Sequence, residues 1–286
     1  MSYTYARRKI DLKFNYDGQQ EVTLRGLRVS VSIHKTGMPG YSTADIRVYG
    51  MSLSLMNALS TLGKIVGRVE RKNIVSVSAG DYGKPAALIY IGTISEAWAD
   101  FAGVPEAVFQ IQSFSALIDK MKPVPPTSYA GSVDAATVIQ TMATSAGYGF
   151  ENNGVSVMID TPYYPGTIIE QMEQCARTGH FNLTHDMNTV AIWPIDGTRG
   201  GQVPKLIASA RVGYPNYTGA GVAFKTLYNP QIIFGGTVEI DTIVAPAKGK
   251  WVVNVLNHTL ESETPGGAWF TEMEGYRLGE SPTVPK

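Results

Sequence analysis

Along the first hundred or so residues, apolar and polar side chains alternate with a period of two. Ile10-Asp11-Leu12-Lys13-Phe14-Asn15-Tyr16 is one such run, and after an Asp17-Gly18 hairpin signal the alternation resumes through Val22, Leu24, Leu27, Val29, Val31 and Ile33. Successive side chains of a strand point to opposite faces, so the pattern predicts a long, half-buried antiparallel ribbon. Further strands are predicted over residues 44–49, 74–78, 87–94 and 107–114, with turns such as Asp81-Tyr82-Gly83-Lys84-Pro85 between them. One helix interrupts this series at 51–62, where Leu55, Leu59 and Leu62 recur at helical spacing before Gly63. Many short strands with one helix predict a closed or nearly closed β-barrel, because closure removes exposed edges.

The pattern changes at Lys122-Pro123-Val124-Pro125-Pro126-Thr127, which can neither continue a helix nor occupy a central strand. Beyond it the period becomes helical. Ser132 is predicted to cap a helix whose apolar face is Ala135, Val138, Ile139, Met142, Ala143 and Ala146, ending at Gly147. Thr167-Ile168-Ile169-Glu170 fits a capping box, in which the Thr hydroxyl and the Glu carboxylate each satisfy a backbone N–H, and Gly179 is predicted to close that second helix. A hairpin follows at 181–184 and 189–193. Strands return at 206–212, 222–227, 237–243, 251–260 and 268–276, separated by Asn-Pro and glycine turns. The expected architecture is mainly β with an α/β insert: barrel domains at 1–116 and 201–286 flanking a two-helix module at 117–200.

Charge adds one feature. Lys+Arg and Asp+Glu both total 24, which argues against a dedicated nucleic-acid or anionic-membrane binder. The distribution is uneven: residues 1–72 carry 12 basic and 5 acidic side chains, and residues 73–200 carry 5 and 12. Complementary faces of this kind can set docking orientation between neighbouring subunits. No segment reads as a signal peptide or membrane anchor, and the single cysteine, Cys175, lies in a helical pattern as a small buried apolar residue.

Catalytic chemistry finds little support. His180 and His185 are the one close histidine pair, but their spacing gives opposite strand faces and not a helical zinc pair; His34 and His258 are isolated. Glu261 with Glu263, and Glu272 with Glu274, alternate along a closing hairpin, and two carboxylates held ~5–9 Å apart could serve glycoside hydrolysis. Nothing in the sequence supplies the cleft. Nucleophile-elbow and phosphate-loop motifs are absent, and Gly197-Thr198-Arg199-Gly200-Gly201 reads as a linker. Tyrosines such as Tyr163-Tyr164 and those of the 214–217 segment fit the rim of a barrel or an interface core better than a base-stacking platform, since no Arg and Lys are interleaved with them. No catalytic residue, cofactor or metal site is expected.

The last third carries a resemblance. The segment from Gly221 through Phe224 to Asn229-Pro230, followed by Gly235-Gly236, resembles the strand, Asn-Pro turn, glycine turn and strand of phage baseplate hub and tail-tube-like proteins. His258, then Pro265, Gly267, Trp269 and Thr271, are similar to the closing hairpin of the same family, which is related to the base domains of type VI secretion spikes. The middle module, with two helices before Trp193-Pro194, resembles the family's helical insert. This resemblance implies a homotrimer in which two tube-like barrels per chain form a pseudo-six-fold ring. Such a ring joins the tail tube protein to the central spike protein, contacts other baseplate proteins and leaves a channel for DNA without binding it specifically. It also implies a place in the virion tail baseplate of a contractile phage, with synthesis in the host cytoplasm. The rival readings are a tail tube protein or another injection-system component, and, of a different class, a phage cell-wall hydrolase using the Glu261/Glu263 region.

Overall fold

The computed structural model describes residues 7–16, 20–60, 73–103, 106–206, 212–219 and 221–279. The chain is mainly β: of the described residues half are in strands, and four helices occur among them. In chain order the elements are β1 (Arg8–Tyr16), β2 (Gln20–Leu24), β3 (Val29–Lys35), β4 (Thr43–Tyr49), α1 (Leu53–Leu59), β5 (Ile74–Asp81), β6 (Ala87–Asp100) and β7 (Val108–Phe114). Then come α2 (Leu117–Met121), β8 (Thr127–Ser128), β9 (Ser132–Asp134), α3 (Ala135–Ser145), β10 (Gly149–Asn152), β11 (Met158–Asp160), β12 (Tyr163–Tyr164) and α4 (Ile168–Gly179). The chain finishes with β13 (Phe181–Asp186), β14 (Thr189–Pro194), β15 (Lys205–Leu206), β16 (Asn216–Thr218), β17 (Gly221–Leu227), β18 (Thr237–Ile240), β19 (Gly249–Ser262) and β20 (Trp269–Arg277). Contacts group these into two compact units: residues 1–33, 43–117 and 258–269, and residues 34–42, 118–257 and 270–286.

In the first unit, β4, β7, β6, β5, β1 and β2 are neighbours in that order. The period-two pattern explains why. Ile10, Leu12 and Phe14 of β1 pair in register with Ala79, Val77 and Val75 of β5, and all six are buried. Ile46 and Val48 of β4 likewise face Ile111 and Phe109 of β7. Each such Val, Leu, Ile or Phe side chain contributes about 1.5–3 kcal/mol by leaving water. Irregularities in β6 at its pairings with β5 and β7 let this 14-residue strand bend, as β-bulges do.

In the second unit, α3 and α4 pack together beside the three-stranded sheet β10-β14-β13, in which β10 and β14 run parallel. A second core gathers Leu206, Val222, Phe224, Val238, Trp251, Leu256 and Met273 around β17, β18, β19 and β20. β15 joins β18 in parallel, and among the described strands β16 pairs with β17 alone.

Several boundaries differ from the sequence expectation. Asp134, and not Ser132, caps α3, its carboxylate accepting the Thr137 N–H, because Ser132–Asp134 are committed to a strand paired with β11. α1 is capped by Ser52 and spans Leu53–Leu59, while Leu62, Gly63 and the Asp17-Gly18 turn lie outside the described residues. The Thr167–Glu170 capping box forms as expected, but the residue in left-handed conformation that ends α4 is His180, at φ 53°, with Gly179 the last helical residue. The strand expected over 206–212 reduces to Lys205–Leu206, with 207–211 outside the described residues. α2 and the parallel pairing of β10 had no period long enough to announce them.

Candidate functional site

The turns singled out in the last third are held by identifiable contacts. At Gly221 the backbone of β17 lies against Gly275 of β20, whose carbonyl a Cβ would strike, and φ is 143°. Phe224 faces Met273 across the same pair, both buried. Asn229 accepts the Gln231 N–H on its Oδ1 at 3.0 Å, an Asx turn around Pro230, and donates its own N–H to Thr271 Oγ1 at 3.1 Å. The glycine turn is tighter still. Gly235, at φ 76°, leaves room for Trp193: a Cβ there would lie 2.6 Å from the indole ring. Gly235 donates to the Val253 carbonyl, Val253 donates to that of Gly236, and Phe234 meets Trp193 edge-on at 6.1 Å between ring centroids.

The remaining resemblance positions lie in the first unit. His258 is buried within β19. The Pro265–Gly267 turn closes through the Gly267 N–H to the Thr264 carbonyl. Trp269 is buried beneath the Arg8 guanidinium, 5.4 Å from the ring centroid, and Arg8 also donates to the Gly267 carbonyl at 3.0 Å. These eleven residues therefore serve as turn and packing positions, divided between the two units.

What the sequence did not reveal is a chain of buried charges in the second unit. Lys35 Nζ donates to Asp186 Oδ1 at 2.7 Å, Arg199 Nη1 donates to Asp186 Oδ2 at 3.1 Å, and Arg199 also grips Glu151 through its Nε and Nη2. Lys35 and Asp186 are each 3% exposed and Arg199 8%. Burial pushes the Asp186 carboxyl up, but Lys35 and Arg199 outweigh it and hold it below the ordinary aspartate value. Burial acts the same way on Glu151, and there too the Arg199 and Asn153 hydrogen bonds win. The 197–201 segment is thus no slack linker: Thr198 and the Arg199 N–H both donate to the Gly235 carbonyl, at 2.8 and 2.7 Å, tying the network to the glycine turn. Four charges spread over 165 positions leave no local signature.

The candidates for chemistry are otherwise occupied. Glu261 accepts the Ala268 N–H at 3.0 Å, and Glu263, at φ 54° just past the end of β19, forms a two-point ion pair with Arg7. Glu263 is therefore not in the alternating strand position assigned to it. Glu272 pairs with Lys225 at 2.6 Å and Glu274 accepts the Thr218 hydroxyl. His185 is buried edge-on to Tyr148 with neither ring nitrogen hydrogen-bonded, and burial pushes its pKa down to about 4, while His180 is exposed. Burial pushes the Cys175 thiol up to about 11, which leaves it a poor nucleophile at neutral pH. No group of three potential metal ligands occurs among the described residues, and no helix among them is long and apolar enough to cross a membrane.

A family model described as baseplate hub gp41 matches residues 9–269. The chain belongs to the baseplate hub gp41 family. It is accordingly a phage baseplate and tail protein, a component of the virion tail. The fold of this hub-family chain is similar to that of a tail protein from Neisseria meningitidis MC58, with a TM-score of 0.65 at 8% identity over 96% of this chain and 97% of the other. It is similar to the 43 kDa tail protein of prophage MuSo2 from Shewanella oneidensis, at 0.62 and 9% identity over 94% and 97%. The E. coli c3393 protein, a type VI secretion component described as structurally similar to T4 tail proteins gp27 and gp5, follows at 0.58 and 8% over 95% and 79%. No curated protein matches the hub-family chain in sequence.

Proposed function

We propose that this chain is a non-enzymatic hub subunit, three copies of which close a pseudo-six-fold ring joining the tail tube to the central spike around a channel for DNA. Residues 1–116 and 201–286 supply the two tube-like barrels, and 117–200 the module between them. The family match over residues 9–269, together with a fold shared along nearly the whole chain with tail and type VI spike-related proteins, carries this reading. Symmetry gives it physical sense: heterologous contacts close into rings, and two similar domains per copy let a three-fold assembly meet a six-fold tube. A non-catalytic role accords with the carboxylates at 261, 263, 272 and 274, each of which has a structural partner.

A channel that DNA slides through must not hold phosphates, so acidic and neutral side chains are expected to line it, with the basic first third outside or at subunit seams. Light scattering on the purified protein tests the assembly: a mass near three times 30.9 kDa is expected, and a monomer at all concentrations contradicts the ring.

A further inference from the structure

Two surface patches, one on each unit, carry matching chemistry. On the second unit, Val212 and Tyr214 line a concavity of about 640 Å³ with Lys225, Glu272 and Glu274, and Tyr214 is 67% exposed. Lys225 is engaged by Glu272 at 2.6 Å, whereas Glu274 has no cation within ion-pair distance among the described residues. The adjoining strand β16 is outermost among the described strands of its sheet, and its exposed Tyr217 extends the aromatic surface. Pro215, just before β16, shortens this edge by one N–H donor, and the aromatic side chains carry the contact surface. On the first unit, Trp98 and Arg47 line a second concavity of about 320 Å³ with Asp45, Gln110 and Gln112. Trp98 is 37% exposed, and Arg47 has no carboxylate partner among the described residues.

We propose that these patches are the two halves of the seam between neighbouring copies, the Tyr214–Glu274 patch of one copy receiving the Trp98–Arg47 patch of the next. Exposed aromatics with Arg are the side chains that interface centres favour. Each patch also mixes charges, which separates a protein partner from nucleic acid: Asp45 beside Arg47, and the two glutamates beside Tyr214, would repel phosphates. A second copy fits because one chain supplies both halves, an uncompensated guanidinium and an uncompensated carboxylate, and unlike patches make the heterologous contact that closes a ring. The inference rests on the trimeric reading above.

Charge reversal tests it, with light scattering as the readout and thermal melts confirming that each variant folds. Glu274→Arg and Arg47→Glu, each alone, should weaken assembly about tenfold or more, and the double variant should restore it, because the pair is then formed with its signs exchanged. If the wild type assembles and both single variants assemble equally well, the seam is elsewhere and the ring stands. If both singles are weakened and the double is no better, the two residues do not meet and the pairing is overturned. A wild type that never leaves the monomer overturns the ring and the seam together.

Discussion

Both units have an apolar core, and they differ in the polar groups buried beside it. The first buries Ile10, Leu12, Phe14, Phe109 and Ile111 together with uncharged groups such as Ser113 and Thr93, and no Asp, Glu, Lys or Arg among its described residues. The second keeps Lys35, Asp186 and Arg199 almost wholly buried beside its glycine turn. Apolar burial stabilises without choosing one arrangement sharply, since sheets tolerate repacking of similar volumes. A buried ion network tolerates no missing member, because whatever remains is charged and out of water. The second unit is thus expected to be the more brittle under single substitution and the more sensitive to pH.

The largest effect should come from Asp186→Ala, which strands Lys35 and leaves Arg199 with Glu151 alone; a loss of about 3–5 kcal/mol is expected in chemical denaturation. An effect under ~1 kcal/mol would mean water reaches the site and the contrast between the units is false. In the first unit, Ile111→Ala removes a fully buried side chain, and about 2–5 kcal/mol is expected, with no new pH dependence.

Next is the titration of His185. Burial holds its folded pKa near 4, below the ordinary 6.5, so the unfolded chain binds the proton first as pH falls. Stability should therefore drop by about 2–3 kcal/mol between pH 6.5 and 4. Asp186 and Glu151, whose folded pKa values are depressed, add their losses only below their ordinary values of 3.8 and 4.5. His185→Phe should flatten the upper part of that slope; an unchanged slope assigns it to another group. The smallest expected effect is Gly235→Ala, where a left-handed backbone and a Cβ 2.6 Å from Trp193 should cost about 1–3 kcal/mol, read as a lower melting temperature.

The same contrast governs what could be read from sequence. Period-two alternation announces β1, β4, β5 and β7, because one face is dry and the other wet, and the Thr167–Glu170 spacing announces α4 because capping is a local contact. Lys35 gave no warning, since it occupies an inward position of β3 after Val29, Val31 and Ile33, where the pattern asks for an apolar side chain. Arg199 sat in a glycine-rich stretch that looks like a linker, and only the fold brings Glu151 and Asp186 to it. Ser132 misled for a related reason: it has the right chemistry for a cap, but pairing with β11 claims it first. Local signals are legible when the element can be completed by neighbours in sequence, and fail when its partners lie far along the chain.

The central claim is a ring, and images of the purified protein in negative stain test it most directly. Averages showing a central hole surrounded by six lobes, from three copies of two similar domains, are the predicted result. Compact particles with no hole, at concentrations where the scattering mass is constant, would contradict it.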